Sequence, residues 1–568
     1  MMRDWKLKEP YSKNFEEEFG EYDDLSRQLF FNRKILTKNE AEKFLNPDYE
    51  RDTHDPFLMK NMERAVERIL RAIKGKEKII IFGDYDADGV CGSVVFGDFF
   101  HAIGFENFEI YNPDRYKEGY GLTKKSLSAL FKKNAELIIT VDNGITNFNE
   151  IQEAEDKGIN VIVIDHHLVP PKWPPAYAIL DPRQPDETYP FNGLSGAGLA
   201  FKTVSALLRK ESFGLVSGWE KWLLDVVAIA AVADMVPLEG ENRTLVYWGL
   251  EVIKKKRRLG ICEMARGMRM DLSSIRVDDI AFMIAPRINV AGRMDHATIA
   301  GELLMTKSSE EARRLARRLE EKNKERKILV KEVIDYAKKQ ISADNPPSIV
   351  ILGDLSWQPG VLGIAANRLL ETFSRSVILW GKADGETIKG SIRSDGTINV
   401  VELMRKSGEE MYIDFGGHAM ASGFSLKEEY LEEFETKVKA AFEKLPKEKN
   451  LYAELIIEKE LTLDEVNKKT IGEISRFEPF GQGNSKPTFL FKNLRVESVR
   501  TFGSDGIHLE FTFKNAGGKI IKAIGFWISN HPDPVARGDH IDLAAAMEMS
   551  NFRGYDELRL RIVDFRKV

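Results

Sequence analysis

The sequence predicts a multidomain α/β protein: a doubly wound parallel sheet, a long connecting helix, a second α/β domain and a small C-terminal β-barrel. Three observations predict it. Between residues 78 and 180, apolar runs of strand length alternate with helix-like stretches, the pattern of a parallel sheet flanked by helices. From 308 to 341 a long helix reads clearly, with acidic residues in its first turn and apolar residues at helical spacing over 312–319. From 451 to 568, apolar and polar residues alternate with period two between glycine turns, as in a barrel or sandwich.

Taken in order, residues 1–50 are polar, dotted with aromatics and helix-prone, and Asn46-Pro47-Asp48 stops them. Residues 51–250 form the first α/β domain, with strands predicted at 78–82, 108–111, 136–141, 160–164 and 176–180 and helices at 126–133 and 149–157. Residues 251–341 form a helical region ending in the connecting helix. Ser309 can cap that helix, and Ala312, Leu315, Ala316 and Leu319 form its apolar stripe. Its Arg313, Arg314, Arg317 and Arg318 read as a solvated face. Residues 342–445 open with the turn Asn345-Pro346-Pro347-Ser348 and carry strands at 349–352 and 377–380. The linker Leu445-Pro446-Lys447-Glu448-Lys449-Asn450 leads to the barrel, 446–568, in which Phe489, Phe491 and His508-Leu509-Glu510-Phe511-Thr512-Phe513 show the alternation.

Composition narrows the function classes. The chain has 568 residues, 43% hydrophobic and 30% charged, a folded mixture that excludes wholesale disorder and collagen or coiled-coil classes. Against 83 Lys+Arg stand 89 Asp+Glu, a net charge of −6, so any nucleic-acid role must come from local basic surfaces. Cys91 and Cys262 are isolated, which excludes a disulfide framework and a cysteine zinc site and fits a reducing compartment. The first residues form no apolar signal, and the apolar run at 226–233 falls short of the ~18 residues a membrane span needs. A cytoplasmic, membrane-free protein is expected.

The chemistry lies at strand ends. The run at 78–83 ends in Asp84-Tyr85-Asp86-Ala87-Asp88-Gly89, that at 136–141 in Asp142-Asn143-Gly144, and that at 160–164 in Asp165-His166-His167. In an open parallel sheet, ligands bind beyond the carboxyl ends of the strands, so these groups should converge on one crevice. Crowded carboxylates repel one another unless cations neutralise them, and Asp with His and no Cys suits Mn²⁺ or Mg²⁺ better than structural zinc. Asp84-x-Asp86-x-Asp88-Gly89 also imitates an EF-hand opening. That reading fails because Val95 occupies the place of the bidentate Glu and a strand, not a helix, precedes the motif. Two further acids, Asp225 and Asp234, bound the apolar stretch 226–233. Asp234 is favoured as a ligand and Asp225 as a cap or salt-bridge residue.

Basic residues recur beside glycines: Arg115 in Asp114-Arg115-Tyr116-Lys117-Glu118-Gly119, Arg293 in Ala291-Gly292-Arg293, and Ser391 and Arg393 in Lys389-Gly390-Ser391-Ile392-Arg393-Ser394. Guanidinium forks and hydroxyls match phosphate oxygens. Joined to a carboxylate metal centre, they point to a phosphate-ester substrate and metal-assisted hydrolysis.

At Asp165-His166-His167 the chain resembles the DHH phosphoesterase superfamily, and within it the RecJ family of single-strand-specific DNA exonucleases. Gly83-Asp84-Tyr85-Asp86-Ala87-Asp88-Gly89, Asp142-Asn143-Gly144, Asp165-His166-His167 and Ala233-Asp234-Met235-Val236-Pro237-Leu238 are similar, in order, to the four DHH motifs. Gly416-Gly417-His418-Ala419-Met420-Ala421-Ser422-Gly423 is similar to the glycine-rich signature of the DHH-associated domain. Pro479-Phe480-Gly481-Gln482-Gly483-Asn484 resembles the family's lead-in to a C-terminal OB-fold.

The resemblance implies 5′-to-3′ release of 5′-mononucleotides from single-stranded DNA by two Mn²⁺ or Mg²⁺ ions, in recombination and repair. One ion would be held by Asp84, Asp86 and Asp142, the other by Asp88, Asp142, His166 and Asp234. His167 would contact the scissile phosphate and Asp165 would orient the histidines. Arg115, Arg293, Ser391 and Arg393 would bind the strand's phosphates, and His418 would close the site. An OB-fold would hold bases by stacking, with Phe502, Trp527, Phe552 and Tyr555 as candidates. A RecQ-type helicase and a single-stranded-DNA-binding protein are the implied partners. The absence of a heptad seam favours a monomer. Two other readings stand beside this one: a DHH phosphodiesterase acting on short oligoribonucleotides or cyclic dinucleotides, and a non-catalytic single-strand-binding scaffold.

Overall fold

Five parallel strands form the first sheet in the computed structural model, which describes all residues except 1, 2, 343–345, 384, 386, 448–453, 504, 505, 527, 529, 530, 532 and 551–555. After a short strand β1 (Asp4–Leu7) come β2 (Ile79–Gly83), β3 (Phe108–Tyr111), β4 (Leu137–Val141), β5 (Asn160–Ile164) and β6 (Ala178–Leu180). They lie in the order β3-β2-β4-β5-β6. The chain runs from β2 outward to β3, then returns past β2 to β4, so β2 and β4 flank the switch point at which such sheets bind ligands. Apart from β3, these strands are buried along nearly their whole length, as expected of a sheet covered on both faces. The predicted helices form at Lys124–Lys132, capped by Thr123, and at Phe148–Asp156.

Helix Ala87–Ala102 follows β2 and is buried on every side between the sheet and helices Gly196–Lys210 and Leu224–Ala233. Its glycines permit that depth: a Cβ at Gly92 would lie 2.4 Å from Val141 Cγ1. The expected domain limit at 250 is corrected by the structure. Helix Gly240–Lys254 runs across it, and Ile261, Ile284 and Leu303 join the same hydrophobic core as Met59 and Phe96. Patterning in sequence separates helix from strand, not one core from the next.

Helix Ser309–Gln340 has 32 residues and spans ~48 Å. Ser308, not Ser309, caps it, its side chain accepting from the Glu311 amide. Ala312, Leu315, Ala316 and Leu319 pack into the first core, while Val333 and Ala337 pack into the next one. One rigid element therefore carries the second sheet. That sheet is mixed, with β7 (Ile349–Asp354), β8 (Ser376–Lys382), β9 (Thr387–Arg393), β10 (Tyr412–His418) and β11 (Ala421–Lys427) ordered β10-β11-β9-β8-β7.

The C-terminal region adds β12 (Glu454–Ile457), β13 (Lys459–Glu460), β14 (Phe489–Arg495), β15 (Ser498–Phe502), β16 (His508–Lys514), β17 (Ile520–Gly525), β18 (His540–Ser550) and β19 (Glu557–Lys567). The last seven form one sheet, antiparallel except for the β13–β14 and β17–β19 pairings. Residues 1–50 contain the expected helices but do not form a separate extension. Strand β1 pairs in parallel with β12, and Phe19, Leu29 and Phe30 share a core with Phe477, Phe491 and Phe511. Among the described residues, no helix is long and apolar enough to cross a membrane.

Candidate metal centre and nucleic-acid cleft

Strand register builds the acidic wall. Gly83 pairs with Val141, Val141 with Ile164, and Ile164 with Leu180. The next residue on each strand is Asp84, Asp142, Asp165 and Asp181, so four carboxylates stand in a row at the strand spacing of ~4.8 Å. Asp181 escaped the sequence reading, although an acid directly after the fifth predicted strand was the available signal. Asp142 adopts left-handed backbone at φ 63, a conformation that Asp tolerates better than most residues. A Cβ at Gly196 would lie 2.7 Å from Asp142 Cβ, so only glycine lets the following helix approach there.

The remaining groups arrive on helices. Asp86 caps helix Ala87–Ala102, its carboxylate accepting from the Asp88 and Gly89 amides at 2.9 and 3.2 Å. Asp88 accepts from the Gly196 and Ala197 amides at 2.6 and 2.8 Å. Asp234 terminates helix Leu224–Ala233. His166 Nε2 lies 3.1 Å from Asp142, 3.6 Å from Asp234 and 3.7 Å from Asp88. Asp165 fixes the histidines: it accepts from the His166 amide at 2.8 Å, the Ile145 amide at 3.0 Å and His167 Nδ1 at 2.7 Å. Tyr120, another residue the sequence did not reveal, places its hydroxyl 3.3 Å from the Asp142 carbonyl and 3.4 Å from His167 Nδ1. Asp225 is not at this site; it pairs with Arg258 at 2.6 Å.

Ligand atoms of Asp84, Asp86 and Asp142, of Asp88, His166 and Asp234, and of Asp142, His166 and His167 form three groups, each within 4.8 Å. Burial, then the neighbouring acids, pushes Asp84 and Asp142 well above the carboxylate range, Asp88 to about 6 and Asp234 to about 8. Burial lowers His166 to about 4, aided by His167. For His167, burial acts downward but the Asp165 bond prevails and raises it to about 9. Asp84 Oδ1 and His166 Nδ1 are buried without a partner.

A cleft of about 790 Å³ opens beside His167, and Arg115, Arg293, Ser391, Arg393 and His418 all line it. Arg115 lies 4.8 Å above the Tyr85 ring. Arg393 Nη1 donates to Ser391 Oγ at 3.0 Å, and β11 sets Arg393 and His418 on either side of Ala421. Room for Arg393 comes from Gly363, where a Cβ would lie 2.8 Å from its Nη2. Burial, with Arg115, Arg326 and Arg393 nearby, lowers Arg293 to about 10. Arg326, from the middle of the long helix, was not anticipated; its Nε is buried without a partner. On the C-terminal sheet Phe502 packs 5.1 Å from His508 and 6.1 Å from Phe526, while Trp527, Phe552 and Tyr555 lie outside the described residues.

Sheet, motifs and cleft define the architectural class of DHH proteins that carry a DHH-associated domain. Family models agree: the N-terminal domain of the DHH family matches residues 78–231, the DHHA1 domain 346–444 and the RecJ OB domain 457–564. The chain is 33% identical to the single-stranded-DNA-specific exonuclease RecJ of Bacillus subtilis over 95% of this chain and 67% of the relative. It is 32% identical to the protein of that name from Haemophilus influenzae over 95% of each chain. The crystal structure of RecJ in complex with Mn²⁺ from Thermus thermophilus superposes with a TM-score of 0.83 at 27% identity, over 100% of this chain and 80% of that one. The chain belongs to the RecJ family.

Proposed function

We propose that this chain is a single-stranded-DNA-specific 5′-to-3′ exonuclease that releases 5′-mononucleotides by two-metal phosphodiester hydrolysis in DNA recombination and repair. The observation that carries the reading is the opening of a cleft lined by Arg115, Arg293, Ser391 and Arg393 beside His167, which shares a ligand group with Asp142 and His166. The relatives are named as single-stranded-DNA-specific exonucleases, and the Thermus structures hold Mn²⁺ or Mg²⁺.

The donor set fits hard divalent cations: carboxylates and one imidazole, no thiolate, and orphaned buried acceptor capacity at Asp84. Asp84, Asp86 and Asp142 would hold one ion, and Asp88, Asp142, His166 and Asp234 the other. Bound there, the ions supply a nucleophilic water at neutral pH and offset charge on the phosphate. Asp165 holds His167 through Nδ1, leaving Nε2 for the scissile phosphate. Arg115, Arg293, Ser391 and Arg393 grip the phosphates, and His418 closes the cleft from β10.

The protein works in the cytoplasm as a monomer, alongside a RecQ-type helicase and a single-stranded-DNA-binding protein. The test is a manganese-dependent digestion of one DNA single strand labelled at either end, with a chelator control. Immediate loss of a 5′ label as mononucleotide, with gradual shortening of 3′-labelled strands, is expected. Binding without release of either label would favour the scaffold reading.

A further inference from the structure

Asp234 is the least self-sufficient member of the acidic wall. Asp84 and Asp142 follow strands directly, and Asp88 is held by two amides. The Asp234 carboxylate accepts no backbone hydrogen bond among the described residues, and its side chain is 30% exposed against 5% for Asp142. The next residue, Met235, adopts left-handed backbone at φ 57, which a side chain of that size rarely takes up unless its surroundings impose it.

The helix's own C-terminal bonds hold it, the Met235 amide donating to the Val232 carbonyl at 3.3 Å and the Val236 amide to the Ala231 carbonyl at 3.1 Å, and two further contacts fix the segment that follows. From inside, Asn242 Nδ2 donates to the Pro237 and Gly193 carbonyls at 3.0 and 2.6 Å. From outside, the 477–484 loop leading into the C-terminal body accepts from the Leu238 amide through the Gln482 carbonyl at 2.7 Å. The fit is close: a Cβ at Gly481 would lie 2.6 Å from Leu238 Cδ1, and one at Gly483 would lie 2.9 Å from Glu239 Oε1.

The loop is itself fixed by Arg243, which is 3% exposed. Its guanidinium donates to the carbonyls of Phe44, Phe477, Glu478 and Pro479 at 3.0, 3.2, 2.7 and 3.3 Å, and its Cζ lies 3.7 Å from the Phe44 ring centroid. Among the described residues no carboxylate pairs with it, and four of its five N–H donors are spent on holding backbone. Asn484 holds the loop from within, donating to the Phe477 and Pro479 carbonyls at 2.9 Å.

We infer that Arg243 is a positioning residue for the metal centre: by fixing the 477–484 loop it sets the backbone of residues 235–238, and with it the place of Asp234. Docking of the C-terminal body then tunes the chemistry as well as the grip on the strand. The inference rests on the metal-dependent hydrolysis proposed above.

The test compares full-length Arg243→Lys and Gly481→Ala with the unsubstituted chain. The first keeps the charge but loses the fork, and the second pushes on Leu238 from the far end of the same contact. Mn²⁺ binding is measured by titration calorimetry, and hydrolysis is followed on a 5′-phosphorylated trinucleotide, with thermal melting to confirm folding. Expected are about a tenfold loss of affinity at the weaker Mn²⁺ site and a comparable fall in kcat on the trinucleotide, with KM unchanged and kcat restored by excess Mn²⁺. Unchanged Mn²⁺ affinity and trinucleotide kcat in a folded variant, with only long-strand binding weakened, would reduce Arg243 to a domain latch and overturn the inference. If Arg243→Lys fails to fold, Gly481→Ala decides alone. An unsubstituted chain that cleaves nothing would instead refute the proposed function.

Discussion

The acidic wall beside the cleft rises from the ends of four adjacent parallel strands, so strand register alone brings Asp84, Asp142, Asp165 and Asp181 into line. The basic wall has no such common origin. Arg115 comes from the segment after β3, Arg293 from helix Ala285–Met294, and Ser391 and Arg393 from β9 of a second sheet joined through helix Ser309–Gln340. The difference shows how like charges are made to coexist. Carboxylates can be crowded where the backbone gives them no freedom to separate and a cation can settle among them. Guanidinium groups, which must seize a moving polyanion, are spread over separate elements. Each wall should therefore fail in its own way.

The largest effect is expected at Asp142, the carboxylate common to two of the three ligand groups. Because its φ is 63, alanine would add backbone strain to the lost charge, and Asp142→Asn isolates the chemistry. Hydrolysis should fall by at least ~10³-fold, the several kcal/mol that metal-held charge stabilisation supplies, while strand affinity in a filter-binding assay stays within about threefold. Retained turnover would remove Asp142 from the centre.

The basic wall should lose binding and keep chemistry. Arg293→Gln and Arg393→Gln each remove charge-assisted bonds worth about 1.5–3 kcal/mol, so KM for a 5′-phosphorylated strand should rise about 10–100-fold with kcat little changed. A fall in kcat at constant KM would move that arginine to the reacting phosphate and blur the division between the walls.

Legibility follows the same division. Each acid closes a contiguous apolar run, so local sequence displays both the strand and its reactive end, and Asp181 was missed only because no histidine or second acid stood beside it. The basic residues have only a weaker local context, their glycine-bearing settings, and resemblance to a family, not periodicity, gave them their roles. Tyr120 was invisible because a loop tyrosine carries no mark of the carbonyl it will meet. The shared core of Phe19 and Phe30 with Phe477 and Phe511 joins segments more than 400 residues apart, a contact that no window of sequence contains.

A third prediction sharpens the electrostatic half of the comparison. Asp88 and Asp234 have folded-state values of about 6 and about 8 against an ordinary 3.8. A carboxyl raised on folding favours the folded state when protonated, so the stability it contributes is present below pH ~4 and lost as pH rises through the folded value. Metal-free protein should lose stability across that window, and metal should restore it by replacing the protons. The melting-temperature gap between Mn²⁺-loaded and chelator-treated protein should be wider at about pH 8 than at about pH 5.5. A gap independent of pH would mean the acids are relieved by something other than the metal.

The smallest effect belongs to a basic surface that lies outside the cleft. Arg313, Arg314 and Arg318 on the long helix read in sequence as a solvated face, and each faces a carboxylate: Glu263 at 3.9 Å, Glu311 at 2.6 Å and Asp295 at 2.7 Å. All three side chains are about half exposed, where ion pairs are screened and add little. Arg314→Ala and Arg318→Ala should leave nuclease activity, melting temperature and the salt dependence of strand binding within measurement error. A shallower salt slope, by about one counter-ion per arginine removed, would show that the strand's path extends along this helix and that the basic wall is longer than the cleft.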